Sequence, residues 1–138
     1  MLDSQTLSDR AEIADVVNLY HHLVDTPDAT RLGEVFTADA VLDVSDYGQP
    51  LREGLETIIA SFVNRGPSPM VVAHTATNLL IEVDGDTARC TSRCLAALRD
   101  GKVGAAVHSD ALVRTAQGWR ITRRVITMPY HMREPAEA

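Results

Sequence analysis

The chain has 138 residues, a formal net charge of -6 and 45% hydrophobic residues, enough for one buried core, so residues 1–138 are read as a single domain with a polar tail over 133–138. A pI near 5.2 argues against nucleic acid or an anionic membrane surface as partner, since each demands a basic patch. No window approaches the roughly 20 apolar residues of a membrane span, and Met1-Leu2-Asp3-Ser4 lacks the basic and apolar regions of a signal peptide. A cytoplasmic location is the expectation.

Over residues 8–24 the apolar positions Ile13, Val16, Val17, Tyr20, Leu23 and Val24 recur at three and four, which predicts a long amphipathic helix. Thr6 or Ser8 is expected to cap it, with Asp9 favourably placed in the first turn. The stretch Asp25-Thr26-Pro27-Asp28 ends it, because proline disfavours helical geometry in the residue before it. A short helix over about 29–36, a strand over 38–44, a loop over 45–50 and a third helix from 53–54 to about 63 follow. The third helix turns Leu55, Ile58, Ile59 and Phe62 to one side, and 65–69 is loop.

From residue 70 the pattern changes to strands of similar length, closed by turns at Asp84-Gly85-Asp86, Asp100-Gly101-Lys102 and Ala116-Gln117-Gly118. Helices first and strands later predict an α+β domain with helices on one face of an antiparallel meander. In the first long strand, alternation puts His74, Ala76, Asn78 and Leu80 on one face and Thr75, Thr77, Leu79, Ile81 and Val83 on the other. Cys90 and Cys94 lie four apart in one strand, about 13 Å between Cα atoms at about 3.3 Å per residue, too far for a mutual disulfide. They read as small core residues.

Several segments together resemble the SnoaL-like branch of the nuclear-transport-factor-like superfamily. They are Ala11-Glu12-Ile13 with Tyr20 and Asp25, the run Phe36-Thr37-Ala38-Asp39-Ala40-Val41-Leu42-Asp43, and His74-Thr75-Ala76-Thr77-Asn78. Val83-Asp84-Gly85-Asp86-Thr87-Ala88 and Leu112-Val113-Arg114-Thr115-Ala116-Gln117-Gly118-Trp119-Arg120-Ile121 complete the set. The resemblance implies a cone-shaped half-barrel, a curved antiparallel sheet wrapped around the long N-terminal helix with two further short helices. It also implies a mostly apolar pocket and a homodimer through the exposed sheet face. Asp25 matches the acidic residue that pairs with the catalytic histidine in the dehydratase and dehydrochlorinase of this superfamily, and His74 matches that histidine. His108 lines up with a second histidine of scytalone dehydratase. The tyrosines of that enzyme do not carry over, since Val24 and Val44 stand in their places.

A neutral imidazole whose other nitrogen is held by a carboxylate is a competent general base near pH 7. Asp25 and His74 are therefore the candidate catalytic dyad and His108 the candidate acid, with Gly104 and Ala106 leaving room beside it. Tyr20, Asn78 and Asp110 are candidate substrate contacts. Arg123 shares parity with Trp119, Ile121 and Val125, so it lies under the dimer surface or touches the cavity. His21 and His22 diverge by about 100° around a helix and are better explained by the helix C-terminus than by a metal; His131 is expected in the exposed tail. Phosphate-binding, dinucleotide and nucleophile-elbow motifs are absent. The expectation is a lyase, dehydratase-like, or an isomerase, free of metal and organic cofactors, acting on a small apolar molecule of cyclic or polyketide-like type. The alternatives are a non-catalytic small-molecule-binding or assembly domain, or a hydrolase or cyclase using the same cavity.

Overall fold

A computed structural model describes residues 2–66 and 68–133. Helix α1, Ser4–Val24, starts a turn earlier than the apolar spacing indicates. Its cap is Asp3 and neither Thr6 nor Ser8: the Asp3 carboxylate accepts the Thr6 backbone N–H at 2.7 Å. The first turn buries no apolar side chain, its one leucine, Leu7, being exposed, so it adds nothing to the apolar spacing. Further along, Ile13, Val16, Val17 and Leu23 are buried, each contributing roughly 1.5–3 kcal/mol.

The expected second helix is a 3₁₀ turn, Ala29–Glu34, and the chain is already extended at Phe36. The Val35 carbonyl accepts the Ile121 N–H at 2.8 Å, which draws this segment into the sheet. Strand β1 is Phe36–Asp43 and is followed by a 3₁₀ turn at Ser45–Tyr47. A two-residue strand that the sequence did not signal, β2, Arg52–Glu53, leads into helix α2, Leu55–Arg65. Then come β3 (Val71–Asp84), β4 (Thr87–Leu98), β5 (Val103–Thr115) and β6 (Gly118–Thr127). Gly85, at φ 60°, permits the two-residue connection between β3 and β4. Of the tail, only Arg133 lies within the described residues.

The six strands form one curved, open sheet in the order β2-β1-β6-β5-β4-β3. All neighbours are antiparallel except β1 and β6, which run parallel, so the sheet is mixed and not wholly antiparallel. The reason is connectivity: β1 reaches β6 through α2 and the whole meander, and a long crossover carries no requirement to reverse direction. Helix α1 packs on β3 and β6, and α2 on β1. The covered face is legible along β4, where Ala88, Cys90, Ser92 and Cys94 are buried and Thr87, Arg89, Thr91 and Arg93 are exposed. Both cysteines are free.

Two bulges re-aim side chains. On β3 the pairing passes from Thr77↔Arg93 to Leu80↔Thr91, which leaves one extra residue, and Asn78 takes a left-handed φ of 54°. His74 and Ala76 face inward before the bulge; Leu79, Ile81 and Val83 do so after it, while Asn78 and Leu80 are exposed. The strict alternation expected along this strand holds only as far as Thr77. On β6 the step from Ala111↔Arg123 to Leu112↔Ile121 inserts Thr122. Trp119, Ile121 and Arg124 point inward as a result, and Arg123 points out to Asp43 at 3.1 Å.

One polar cluster sets α1 against the sheet. Asp9 accepts two bonds from Arg114, at 2.6 and 3.0 Å, and one from Trp119 Nε1 at 3.1 Å, while Glu12 accepts the Trp119 N–H at 2.8 Å. The Arg114 guanidinium holds the Asp9 carboxyl well below the usual carboxylate range. Among the described residues no helix is long and apolar enough to cross a membrane.

Candidate active site

Between α1, α2 and the inner sheet face lies a cavity of about 570 Å³, within the range of small-molecule sites. Helix α1 lines it with Tyr20, His21, Val24 and Asp25, positions whose spacing of one, four and five residues puts them on one helical face. Sheet residues His74, His108, Gly104 and Ala106 join them, and Leu42, Val44, Phe62 and Ile126 supply apolar wall. The small side chains at 104 and 106 leave the space beside His108.

Asp25 is the C-terminal capping residue of α1, its own N–H bonded to the His21 carbonyl. Its Oδ2 accepts the His74 backbone N–H at 2.8 Å, and its Oδ1 is hydrogen-bonded to His74 Nδ1. The carboxylate thus grips both the backbone and the ring of one residue, which fixes the ring orientation and leaves Nε2 for the cavity. The two side chains keep 20% and 29% exposure, so a ligand can reach them.

A third imidazole completes the floor. His21 sits between His74 and His108, with ring centroids 5.7 and 5.5 Å away and planes inclined by 20° and 26°. Both its nitrogens, and Nδ1 of His108, are buried without a hydrogen-bond partner. Burial first, then the positive charge of Arg124, pushes His108 down to about 2 and His21 to about 3. Both rings are neutral at pH 7. The imidazoles lie face to face, and among the described residues no group of three His, Cys, Asp or Glu is arranged to hold a metal ion.

Arg124 is fully buried and is held by Asp110 in a two-point ion pair, 2.7 and 2.8 Å. Burial works against its charge, but Asp110 outweighs that and raises its pKa. Its guanidinium carbon stands 4.3 Å from the Tyr20 ring centroid.

Of the six residues singled out in the sequence, Asp25, His74, His108 and Tyr20 meet at the cavity. Tyr20 is also core, edge-on to Phe36, Phe62 and His108. Asn78 does not face the site, because the β3 bulge turns it to solvent. Asp110 faces inward but spends both oxygens on Arg124 and does not line the cavity. His22 and His131 are exposed.

Sequence reasoning passed over Arg124, Arg52 and Arg65 and assigned His21 to the helix C-terminus instead of the cavity that it lines. His21 stands four residues before Asp25 and four after Val17, so a pocket-facing Asp25 already implied a pocket-facing His21. For Arg124 the signal was Asp110, an inward carboxylate that required a cation. Arg52 and Arg65 line the cavity from segments whose sequence carries no mark of it.

A curved open sheet over one long helix, with an apolar cavity floored by polar side chains, defines an α+β protein of the NTF2-like, cystatin-like fold. The SnoaL-like domain matches residues 5–125, and the chain belongs to that family, one that includes dehydratases and isomerases. It is 32% identical over 139 residues to an uncharacterised protein of Mycobacterium tuberculosis, Rv2910c, covering 92% of this chain and 90% of the other. Among solved structures it is similar to an NTF2-like protein with a cystatin-like fold from Novosphingobium aromaticivorans, with 26% identity, a TM-score of 0.78, and 91% and 85% coverage of the two chains. A hexachlorocyclohexane dehydrochlorinase, LinA type 2, shares 26% identity with a TM-score of 0.72 over 91% of this chain and 88% of that one.

Proposed function

We propose that the protein is a lyase of the dehydratase type, or an isomerase, which removes a proton beside a carbonyl or leaving group of a small apolar substrate. The observation that carries this is the double hydrogen bond from His74 to Asp25 at the wall of an apolar cavity. Likeness to a dehydrochlorinase, an enzyme of elimination by name, agrees with it. With Nδ1 held by the carboxylate, Nε2 takes the proton, and Asp25 stabilises the imidazolium that forms. Negative charge moves onto the carbonyl oxygen.

His108, neutral because of its burial and Arg124, does not supply a proton as an imidazolium. Its role is that of a neutral hydrogen-bond donor to the developing oxyanion, the use of a low-pKa imidazole in proton abstraction. The fixed charge of Arg124 adds to that stabilisation. In a dehydration the proton taken by His74 returns to the departing hydroxyl, so water leaves and the neutral dyad is restored. In an isomerisation it returns to another carbon. The steps call for no metal or organic cofactor. Unpaired Cys90 and Cys94 suit a reducing, cytoplasmic setting, and exposed Leu80 and Val103 on the sheet suit a homodimer.

The test uses 3-hydroxy-1-tetralone, a bicyclic β-hydroxy ketone whose loss of water gives fluorescent 1-naphthol, within a panel of one- and two-ring β-hydroxy ketones with and without a ring carboxylate. Turnover by the wild type, with His74→Ala and Asp25→Asn each slower by about 10²–10⁴-fold at nearly unchanged melting temperature, is the expected result. Wild-type rates no faster than buffer across the panel, or equal rates in His74→Ala, would overturn the reading.

A further inference from the structure

Besides its histidines and Asp25, the cavity carries a second set of polar side chains: Arg52 on β2, Arg65 at the end of α2, Gln49 and Ser68. The guanidinium carbons of Arg52 and Arg65 lie 5.4 and 5.6 Å from the centroid of the Phe62 ring, so two positive charges flank one aromatic wall. Arg31, Arg114, Arg123, Arg124 and Arg133 are each paired with a carboxylate. Among the described residues seven arginines have no such partner, and of these Arg52 and Arg65 line the cavity. The one carboxylate lining the cavity among the described residues, Asp25, is occupied by His74. A chain with net charge -6 thus presents a cavity lined by two arginines and one committed acid.

The two guanidiniums repel one another with no carboxylate paired to either. Partial burial and then the like charge of Arg65 hold Arg52 below its ordinary value, with Tyr20 opposing. Guanidinium is the group suited to a planar, two-point grip on a carboxylate, and it stacks on aromatic faces while doing so. The apolar lining that the same cavity draws from Val24, Val44 and Ile126 fits a hydrocarbon body. Resting on the elimination or isomerisation proposed for this same cavity, we infer that the substrate is an apolar carboxylic acid. Its carboxylate is held by Arg52 and Arg65, and its reacting carbon faces His74.

Calorimetric titration with 2-naphthoate and with 2-naphthamide, which keeps the ring and loses the charge, tests this directly. Naphthoate should bind about tenfold or more tightly than the amide, and its affinity should fall as salt is raised. Arg52→Gln and Arg65→Gln should each weaken naphthoate several-fold and leave the amide unchanged, with thermal melts like the wild type. His74→Ala should still bind naphthoate. Equal affinity for acid and amide, binding of neither up to the solubility limit, or full naphthoate affinity in the Arg52→Gln/Arg65→Gln double variant would overturn the inference. Failure of the catalytic reading shows elsewhere, as absent turnover with naphthoate binding and its arginine dependence intact.

Discussion

His21 shows how one side chain serves both the site and the stability of the fold. Buried without a hydrogen-bond partner, it stays neutral when folded, whereas in the unfolded chain it titrates near the ordinary 6.5. His108 behaves alike. For both rings the folded pKa lies below the unfolded one, so the stability is fully present above pH 6.5 and is lost as pH falls below it. Each ring removes up to about 1.4 kcal/mol per pH unit on the way down. The urea midpoint should therefore drop steeply between pH 7 and pH 5, and His21→Phe should flatten that drop. An unchanged slope in the variant would contradict neutral burial of the ring. At this scale much of the candidate site was legible: Asp25, His74 and His108, to which the family resemblance pointed, and Tyr20, read from helix spacing, all line the cavity. His21 was derivable from the same helix but had been assigned to the helix terminus.

At the level of elements, the bulges decided which side chains reach the cavity. A strand alternates strictly, and one inserted residue sends every later side chain to the opposite face. Asn78 occupies the inserted turn of β3, in a left-handed conformation that asparagine tolerates and a β-branched residue resists. Asn78→Gly should leave stability close to wild type, whereas Asn78→Val should cost roughly 1–2 kcal/mol by urea melting. Neither should alter naphthoate affinity, since Asn78 faces solvent; a change in affinity without a change in stability would return it to the site. Local sequence did not place these bulges, because an asparagine that accepts left-handed backbone and a threonine common in strands mark no slip until pairing with β4 and β5 sets the register. Arg124 was missed for that reason, and Arg123, expected to share a face with Trp119 and Ile121, lies on the other.

For the molecule as a whole, the helices cover one sheet face and leave the other to solvent, where Leu80 and Val103 are 72% and 70% exposed. Light scattering should give twice the mass of the chain, and Leu80→Asp with Val103→Asp should give the monomer at unchanged secondary structure. A wild-type monomer at micromolar concentration would remove the proposed homodimer. By itself the sequence determined the order of the elements, the long helix, the hairpin turns, the α+β class and the family, because these depend on local periodicity, on turn residues and on motifs contiguous in the chain. Only the tertiary structure decided that β1 runs parallel to β6, that Arg124 and not Arg123 is buried, and that three imidazoles stack on one floor while two arginines flank Phe62. Each of those facts depends on pairing register and crossover between segments far apart in the chain, which local spacing does not encode.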